Sequence, residues 1–368
     1  MYPRGDRIAR TIEPAGALPN PKLLLDNSVD RYNARVLTKA DHQISAARLS
    51  SKQLCGVLLP ITTPFHDDGG LDFDGLRGNI AKWKGTGISG YVILGSTGER
   101  VHVDEREYLE VIQVAREAVA TARDGLALIA GAGQQSTRGT INEIKRVAKV
   151  SIDAVLVITP HFYRSAITQG ALIEHYKNVA DESPIPVILY SMPALTGIKI
   201  EPETVARLSE HPNIIGVKDS SADIEGVRET VRLVRHNSDK GSIQAANGSD
   251  DFAVLTGNGT VLYEALQVGV NGAILAVGSV APQLCLEIFR AVKDGEDERA
   301  QLLQKTLTPL AHAVTTKYGI GGLKAALDFI GYSGGPVRAP LPSPDEAARR
   351  EIFGLLQEAQ AKSVISNQ

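Results

Sequence analysis

The sequence predicts a (β/α)8 barrel, the TIM-barrel fold, followed by a C-terminal helical region. From Gly56 onward, short apolar runs alternate with helix-length segments, and this alternation favours a parallel sheet. The chain contains eight such units, which is the number that closes this barrel. A doubly wound open sheet is the alternative fold, although it does not require eight units of such regular spacing.

The predicted strands are apolar runs bounded by turn residues, a pattern typical of strands that are buried on both faces. They cover residues 56–61, 90–94, 127–131, 154–158, 186–190, 214–218, 252–256 and 272–276. The helix after the second strand has the clearest start, because Asp104 and Glu107 are spaced as in a capping box. Its apolar face then repeats at helical spacing over Tyr108, Val111, Ile112, Ala115 and Val119.

Three regions are predicted along the chain. Residues 1–52 form an N-terminal extension, residues 53–281 the catalytic barrel, and residues 282–368 the C-terminal helical region. The last region shows helical patterns only, over roughly 282–293, 297–317, 320–330 and 344–360.

The N-terminal extension lacks the regular alternation and is expected to be poorly ordered, although its moderately apolar residues 46–54 leave open a helix packed on the body. Arg4, Arg7 and Arg10 leave a mitochondrial transit peptide open as an alternative, although acidic residues in the same stretch oppose it. The two cysteines, Cys55 and Cys285, form no CxxC motif and indicate a reduced intracellular compartment. We therefore expect a cytoplasmic protein, or a mitochondrial one if the extension acts as a transit peptide.

The composition is that of an ordinary globular protein, with 43% hydrophobic and 22% charged residues. A formal net charge of −3 argues against nucleic-acid or membrane-surface binding driven by basic charge. The most apolar stretch, residues 270–289, is interrupted by polar residues and does not predict a membrane span. The sequence contains no GxxxxGK[ST] loop, no HExxH pair and no Cys/His cluster with zinc spacing, so no metal site is predicted.

One lysine, Lys218, closes the apolar run of the predicted sixth strand. In a barrel, the strand ends and the loops after them face a common site. An amine between apolar walls loses hydration, which favours its neutral, nucleophilic form. Lys218 is therefore a candidate nucleophile toward carbonyl carbons, and the alternative is a surface lysine at a strand end.

Other polar residues close neighbouring strands. Tyr190 ends the strand before that of Lys218, so the two side chains can meet at the barrel mouth. A phenol there can deliver the proton that Schiff-base chemistry requires, although strand-final tyrosines are often structural. Ser96 and Thr97 follow the second strand and offer hydroxyls and backbone amides to an anion, although this segment can also be a simple turn. His161, after the fourth strand, is either a pocket-wall residue or a hydrogen-bonded structural one.

These segments resemble the pyruvate-type class I aldolases and synthases, the dihydrodipicolinate synthase and N-acetylneuraminate lyase family. The resemblance covers about residues 55–345 and is carried by TTPF at 62–65, GSTGE at 95–99, LYSMP at 189–193 and GVKDS at 216–220. Within the family, the chain is most similar to 4-hydroxy-2-oxoglutarate aldolase and related 2-keto-3-deoxy acid aldolases. That similarity is carried by SPIP at 183–186, HPNI at 211–214 and GYSGGP at 331–336.

The resemblance implies a role for each matching residue. Lys218 would be the Schiff-base lysine and Tyr190 the proton-transferring phenol, whereas Ser96 and Thr97 would hold the substrate carboxylate and join the proton relay. The pocket would further be lined by Ser220, Gly257 and the carbonyl of Ile274. No metal or organic cofactor is implied. The implied partners are a small 2-oxo acid, with pyruvate as product, and further copies of the chain in a homotetramer or dimer.

Two positions depart from the family pattern. Leu195 stands where synthases acting on aspartate semialdehyde usually carry an arginine, which argues against dihydrodipicolinate synthase. Phe162 stands where the family commonly has a tyrosine that is shared across a dimer interface, and either Tyr163 or water would have to replace its proton transfer. We take His161, Phe162, Tyr163 and Leu195 as candidates for substrate specificity.

We therefore predict a Schiff-base-forming class I aldolase, a carbon–carbon lyase. It would cleave a 4-hydroxy-2-oxo acid, such as 4-hydroxy-2-oxoglutarate or a 2-keto-3-deoxy sugar acid, to pyruvate and an aldehyde. One alternative is a dihydrodipicolinate-synthase-like synthase or dehydratase that uses the same lysine. The other is a non-catalytic member that binds 2-oxo acids.

Overall fold

Eight parallel strands form a closed barrel in the computed structural model, which describes residues 49–120, 126–239 and 252–365. Each strand pairs with the next one along the chain, and β1 also pairs with β8. The strands are β1 Gly56–Pro60, β2 Gly90–Ile93, β3 Ala127–Ala132, β4 Ala154–Ile158, β5 Val187–Ser191, β6 Ile214–Asp219, β7 Ala253–Thr256 and β8 Gly272–Ile274. The predicted fold class is confirmed, and the predicted strand ends differ from these bounds by at most two residues.

Helices follow the strands around the outside of the barrel and continue after it. They are α1 Phe73–Trp83, α2 Glu105–Ala120, α3 Thr137–Val147, α4 Gln169–Glu182, α5 Pro193–Thr196, α6 Pro202–Leu208, α7 Ile224–Asp239, α8 Leu262–Gln267, α9 Pro282–Lys293, α10 Asp297–His312, α11 Gly319–Phe329 and α12 Glu346–Ile365. The predicted capping box starts α2. The Glu107 N–H donates to Asp104 Oδ1 at 2.8 Å, and the Asp104 N–H donates to Glu107 Oε2 at 3.1 Å.

Apolar side chains pack in two layers because successive strand residues point to opposite faces of the sheet. One layer fills the barrel interior and includes Leu58, Val92, Ile129, Leu156, Ile188, Ile215, Leu255 and Ile274. The other lies between the strands and the helices and includes Leu59, Ile93, Leu128, Val157, Leu189, Val217 and Val254. Burial of each such side chain contributes roughly 1.5–3 kcal/mol relative to exposure, so both layers hold the barrel together.

The chain after β8 is helical, as the sequence predicts. The segment predicted as one helix over 297–317 changes geometry near its end. Helix α10 stops at His312, and Ala313–Lys317 form a π-helical turn before α11. Gly319 then begins α11 with a φ of 56°, a left-handed conformation that glycine adopts at little cost.

The described chain begins at Leu49, which is buried together with Leu54 in the layer inside the barrel. Residues 49–52, which the sequence assigns to the extension, therefore pack with the barrel. The rest of the predicted extension, residues 1–48, and with it the transit-peptide interpretation, lies outside the described residues. Within the described ranges, none of the helices combines the length and the apolar character that a membrane crossing requires.

Candidate active site

The carboxyl ends of the strands open into a cavity of about 830 Å³. The predicted catalytic and substrate-binding residues all line it: Ser96, Thr97, Tyr190, Lys218, Ser220, Gly257 and Ile274. These residues come from the ends of β2, β5, β6, β7 and β8 and are far apart in the sequence. Closure of the barrel brings them to one site, as expected for this fold.

Tyr190 and Lys218 are direct neighbours on the adjacent strands β5 and β6. Both side chains are almost fully buried, with 4% and 5% of their surface exposed. The Lys218 Nζ lies 4.4 Å from the centroid of the Tyr190 ring. The phenol ring thus forms one wall around the amine, and the predicted pairing of these two residues is present in the structure.

A bulge in β6 turns Lys218 toward the barrel interior. Val187 pairs with Ile214, whereas the next residue of β5, Ile188, pairs with Gly216, so Ile215 is an extra residue in the ladder. Because the side-chain period of a strand is two, one extra residue exchanges the inward and outward positions that follow it. Ile215 packs inside the barrel. Strict alternation from Ile215 would therefore direct Lys218, three residues later, toward the helices.

Gly216 has no room for a side chain at this bulge. A Cβ at this position would lie 2.6 Å from the backbone oxygen of Ala253 on β7. The glycine therefore allows the close approach of two backbones where the register shifts. The motif segment GVKDS thus contains both the candidate nucleophile and part of the local geometry that orients it.

Ser96 connects the loop after β2 to the phenol of Tyr190. The Ser96 Oγ and the Tyr190 Oη lie 3.3 Å apart, and either oxygen can be the donor. Thr97, its neighbour, also lines the cavity and is 8% exposed. Of the two hydroxyls for which the sequence predicts a relay role, the one in contact with Tyr190 is that of Ser96.

Gly257, after β7, leaves space for the lysine. A Cβ at this position would lie 1.9 Å from Ser220 Oγ and 2.6 Å from Lys218 Cε. Real Cβ atoms do not approach other heavy atoms so closely, so any other residue here would displace the lysine stem or the serine. Gly257 and Ser220 are thus in direct proximity to the candidate nucleophile.

Of the four specificity candidates, Leu195 alone is among the cavity-lining residues of the described chain. Leu195 lines the cavity and is 60% exposed. Phe162 and Tyr163 are 74% and 70% exposed, and their rings contact each other edge to face with centroids 5.0 Å apart. His161 has its backbone N–H bound to Gln135 Oε1 at 2.9 Å. His161, Phe162 and Tyr163 are absent from the cavity lining of the described chain.

The outer wall of the cavity was not predicted from the sequence. This wall consists of residues 314–321 and 341–345, which follow the barrel in the chain. Its charged side chains are Lys317 and Asp345, and Lys317 Nζ is engaged by both carboxylate oxygens of Glu351 at 2.7 Å. Residues 314–321 are mostly helical, as the pattern predicts, whereas residues 341–345 form an irregular segment before α12, and no local signal in either stretch pointed to the barrel mouth.

The fold and the lining of the cavity define a (β/α)8-barrel enzyme with a buried lysine at the end of its sixth strand. Residues 53–359 match the model of the dihydrodipicolinate synthetase family. The chain belongs to this family, and the predicted family resemblance is confirmed.

Relatives and solved structures agree with this assignment. The 4-hydroxy-tetrahydrodipicolinate synthase of Methanothrix thermoacetophila is 36% identical over 301 residues, covering 81% of this chain and 95% of that protein. The crystal structure of dihydrodipicolinate synthase from Thermotoga maritima has a TM-score of 0.76 at 29% identity and covers 84% of this chain and 99% of its own. A prophage protein of E. coli K12 from the same family, solved in complex with pyruvate, has a TM-score of 0.74 at 29% identity, covering 83% of this chain and 98% of its own.

These comparisons indicate a lyase-type enzyme of this family. The sequence predicted a 4-hydroxy-2-oxoglutarate or 2-keto-3-deoxy acid aldolase. The curated relatives are instead named as synthases, so they support the alternative reading better than the main one.

Proposed function

We propose that this protein is a Schiff-base-forming lyase whose first substrate is a 2-oxo acid of the pyruvate type. The observation that carries the proposal is the group formed by Lys218, Tyr190 and Ser96 in one cavity. An amine beside a phenol, and a hydroxyl in contact with that phenol, are the groups that imine chemistry needs. The complex of the E. coli family member with pyruvate supports the same first substrate.

The reaction begins with attack of the neutral Lys218 amine on the C2 carbonyl carbon of the 2-oxo acid. The carbinolamine oxygen takes a proton from Tyr190 and leaves as water, and the Ser96 hydroxyl donates a hydrogen bond to the phenolate that is left. The loop that contains Ser96 and Thr97 binds the substrate carboxylate through hydroxyls and backbone amides. In condensation, the Tyr190 phenolate takes a C3 proton from the protonated imine, and the enamine that results is the carbon nucleophile.

Two reactions share this enamine, because condensation consumes it and cleavage produces it. In condensation, it attacks the aldehyde carbon of a second substrate, as in the 4-hydroxy-tetrahydrodipicolinate synthase reaction. The names of the curated relatives support this reaction, and we place it first.

Cleavage of a 4-hydroxy-2-oxo acid is the second candidate. Tyr190 takes the proton of the 4-hydroxyl group, the C3–C4 bond breaks, an aldehyde leaves, and the enamine is protonated and hydrolysed to pyruvate. Leu195 favours this reaction, because it places an alkyl group at the cavity where synthases usually carry an arginine for a second carboxylate. Neither reaction requires a metal or an organic cofactor, and we propose the homo-oligomer by family resemblance alone.

Borohydride trapping tests the proposal. Incubation with pyruvate and borohydride, followed by peptide mass spectrometry, should give a reduced adduct on the peptide that contains Lys218. The adduct should be lost in Lys218→Ala and kept in Lys317→Ala, because Lys317 lines the same cavity but is held by Glu351. Failure to trap any adduct on the wild-type protein would instead support a non-catalytic 2-oxo-acid-binding protein.

A second assay separates the two reactions. The protein is incubated either with pyruvate and aspartate semialdehyde or with 4-hydroxy-2-oxoglutarate, and pyruvate is measured over time. Consumption of pyruvate in the first mixture identifies the synthase, and release of pyruvate in the second identifies the aldolase.

A further inference from the structure

The loop that carries Ser96 is bracketed by two residues in an unusual backbone conformation. Leu94 and Glu99 have φ values of 53° and 55°, in the left-handed region that residues other than glycine rarely adopt. Such conformations cost about 1–3 kcal/mol each and persist where the surrounding structure holds them. The contacts of Glu99 therefore help to fix the backbone of the loop that carries Ser96.

The Glu99 carboxylate is buried, with 2% of the residue exposed, and contacts three polar groups. Lys324 Nζ lies 2.6 Å from Oε1 in an ion pair. The backbone N–H of Arg338 donates to Oε2 at 3.1 Å, and His102 Nδ1 lies 3.1 Å from the same oxygen. We call Glu99, His102, Lys324 and Arg338, together with the ring of Phe65, the Glu99 cluster.

Lys324 is buried even more completely, at 1% exposure, and belongs to α11. Its ammonium donates to the carbonyl of Pro336 at 2.7 Å and lies 4.3 Å from the centroid of the Phe65 ring. Burial lowers the pKa of Lys324, and the adjacent Glu99 carboxylate opposes that shift. The Arg338 guanidinium also lies 4.3 Å from the Phe65 ring, so both cations of the cluster contact this aromatic side chain.

The segment TTPF at 62–65 thus acquires a structural role that the proposed chemistry does not use. Phe65 contacts both cations, and Thr63 Oγ1 donates to the carbonyl of Gly98 at 2.7 Å. The loop after β2 is therefore held from two sides, by the end of β1 and by α11. Helix α11 begins within the outer wall of the cavity, to which its residues 319–321 belong.

Stability alone does not account for such a cluster. Taking two charges out of water costs several kcal/mol per ion, and well-packed apolar residues often replace a buried ion pair without loss of stability. What the ion pair adds is a link between two groups that lie on different elements. Here one group lies in the loop that contains Ser96, and the other lies in α11.

We infer that Glu99 and Lys324 are positioning residues for the chemistry at Lys218. Their ion pair holds the loop after β2 so that the Ser96 hydroxyl stays in contact with the Tyr190 phenol. Neither residue lines the cavity in the described structure, so neither touches the substrate. The inference rests on the proposed function, because it concerns the proton relay of that reaction.

Two neutral substitutions test this role. Glu99→Gln and Lys324→Met each leave one buried polar or charged group without its partner and should lower the melting temperature. The double variant E99Q/K324M removes both charges and should recover most of that loss. The reaction is followed by proton NMR as the exchange of the pyruvate methyl protons with deuterated water, which needs only imine and enamine formation.

If the ion pair positions the relay, exchange in the double variant should remain about 10- to 100-fold slower than in the wild type, despite the recovered melting temperature. The borohydride adduct on Lys218 should still form, because the lysine itself is unchanged. A double variant that recovers both stability and exchange would overturn the positioning role. The control is the exposed pair Lys145 and Glu182, for which K145M/E182Q should leave exchange unchanged.

If the double variant does not fold, His102→Ala replaces it as the test. The His102 substitution removes one hydrogen bond at the edge of the Glu99 cluster and no buried charge. Exchange should then fall several-fold at an unchanged melting temperature, and wild-type exchange would overturn the inference. Absence of any adduct in the wild-type protein would overturn the proposed function and the inference together. An adduct with undisturbed exchange in the variants would overturn only the inference.

Discussion

The amine of Lys218 has space at the barrel mouth because the residue after β7 is a glycine. The side-chain positions of Lys218 and Ser220 leave no volume for a methyl group at Gly257. This requirement is purely steric, and it acts at the atoms next to the proposed nucleophile. A single added carbon should therefore affect the chemistry more than the stability.

Gly257→Ala should slow both adduct formation on Lys218 and exchange of the pyruvate methyl protons by about 100-fold, because the new methyl group displaces the lysine stem. Quenched borohydride trapping and proton NMR measure the two rates. The control is Gly78→Ala in α1, where a Cβ meets no heavy atom within 4 Å and both rates should be unchanged. Rates near the wild-type values in Gly257→Ala would contradict the steric argument.

A single substitution at Leu195 tests which substrates the cavity selects. Leu195→Arg places a guanidinium at a cavity-lining position and should raise kcat/KM about tenfold for substrates with a second carboxylate, relative to those without one. The measurement is kcat/KM across a panel of aldehydes and 4-hydroxy-2-oxo acids. Leu195→Gln controls for polarity without charge, and an unchanged ratio in Leu195→Arg would count against the prediction.

The residues that could be predicted from the sequence are those at strand ends. Lys218 and Tyr190 follow apolar runs, and the barrel topology alone brings such positions together. Glu99 lay within a motif that suggested only a carboxylate-binding turn. Its partner Lys324 lies far away in a helical segment, where a lysine is ordinarily a solvated side chain. Only the three-dimensional structure shows that both are buried.

At the scale of the elements, the bulge in β6 is the feature that sequence pattern could not supply. A run such as that of β6 is apolar at almost every position, so it carries no alternation from which an extra residue could be detected. The bounds of the strand were nevertheless predicted within one residue. Its bounds were thus predictable, but the direction in which Lys218 points was not.

Helix α4 contains a buried histidine that should make stability depend on pH. His175 is 5% exposed, and burial lowers its pKa to about 4. Its Nδ1 lies 2.9 Å from Thr137 Oγ1, and Nε2 has no hydrogen-bond partner among the described residues. The neutral ring therefore fits this site, and the protonated ring does not.

The unfolded chain binds a proton at His175 near pH 6.5, whereas the folded protein does so only near pH 4. The stabilising effect of the neutral ring is thus fully present above about pH 6.5 and decreases as the pH falls toward about 4. The free energy of unfolding should drop by about 2–3 kcal/mol over this interval because of His175 alone. Urea titrations at a series of pH values measure it.

His175→Gln is the matched variant, because glutamine retains a polar group near Thr137 but does not titrate. Its stability should depend less on pH between about 6.5 and 4 than that of the wild type, while carboxylate titration affects both proteins alike. Parallel stability curves for the two proteins would refute the assignment to His175.

At the scale of the whole molecule, the sequence predicted a barrel followed by a helical appendix. The architecture is as predicted, but the later region also contributes residues 314–321 and 341–345 to the cavity. Helical periodicity reveals which face of a helix is buried, but not the element against which it packs. The outer wall of the candidate site was therefore missed, although the helices of this region were predicted.

The residues proposed for the chemistry and those of the outer wall thus lie in different parts of the chain. The groups proposed to form the imine belong to the barrel, while the outer wall of the cavity belongs to the chain after it. We therefore expect mutations confined to the later segment to change which second substrate is accepted without altering the lysine or the phenol. The ion pair between Glu99 and Lys324 limits that freedom, because a transplanted C-terminal segment must carry its own partner for the Ser96 loop.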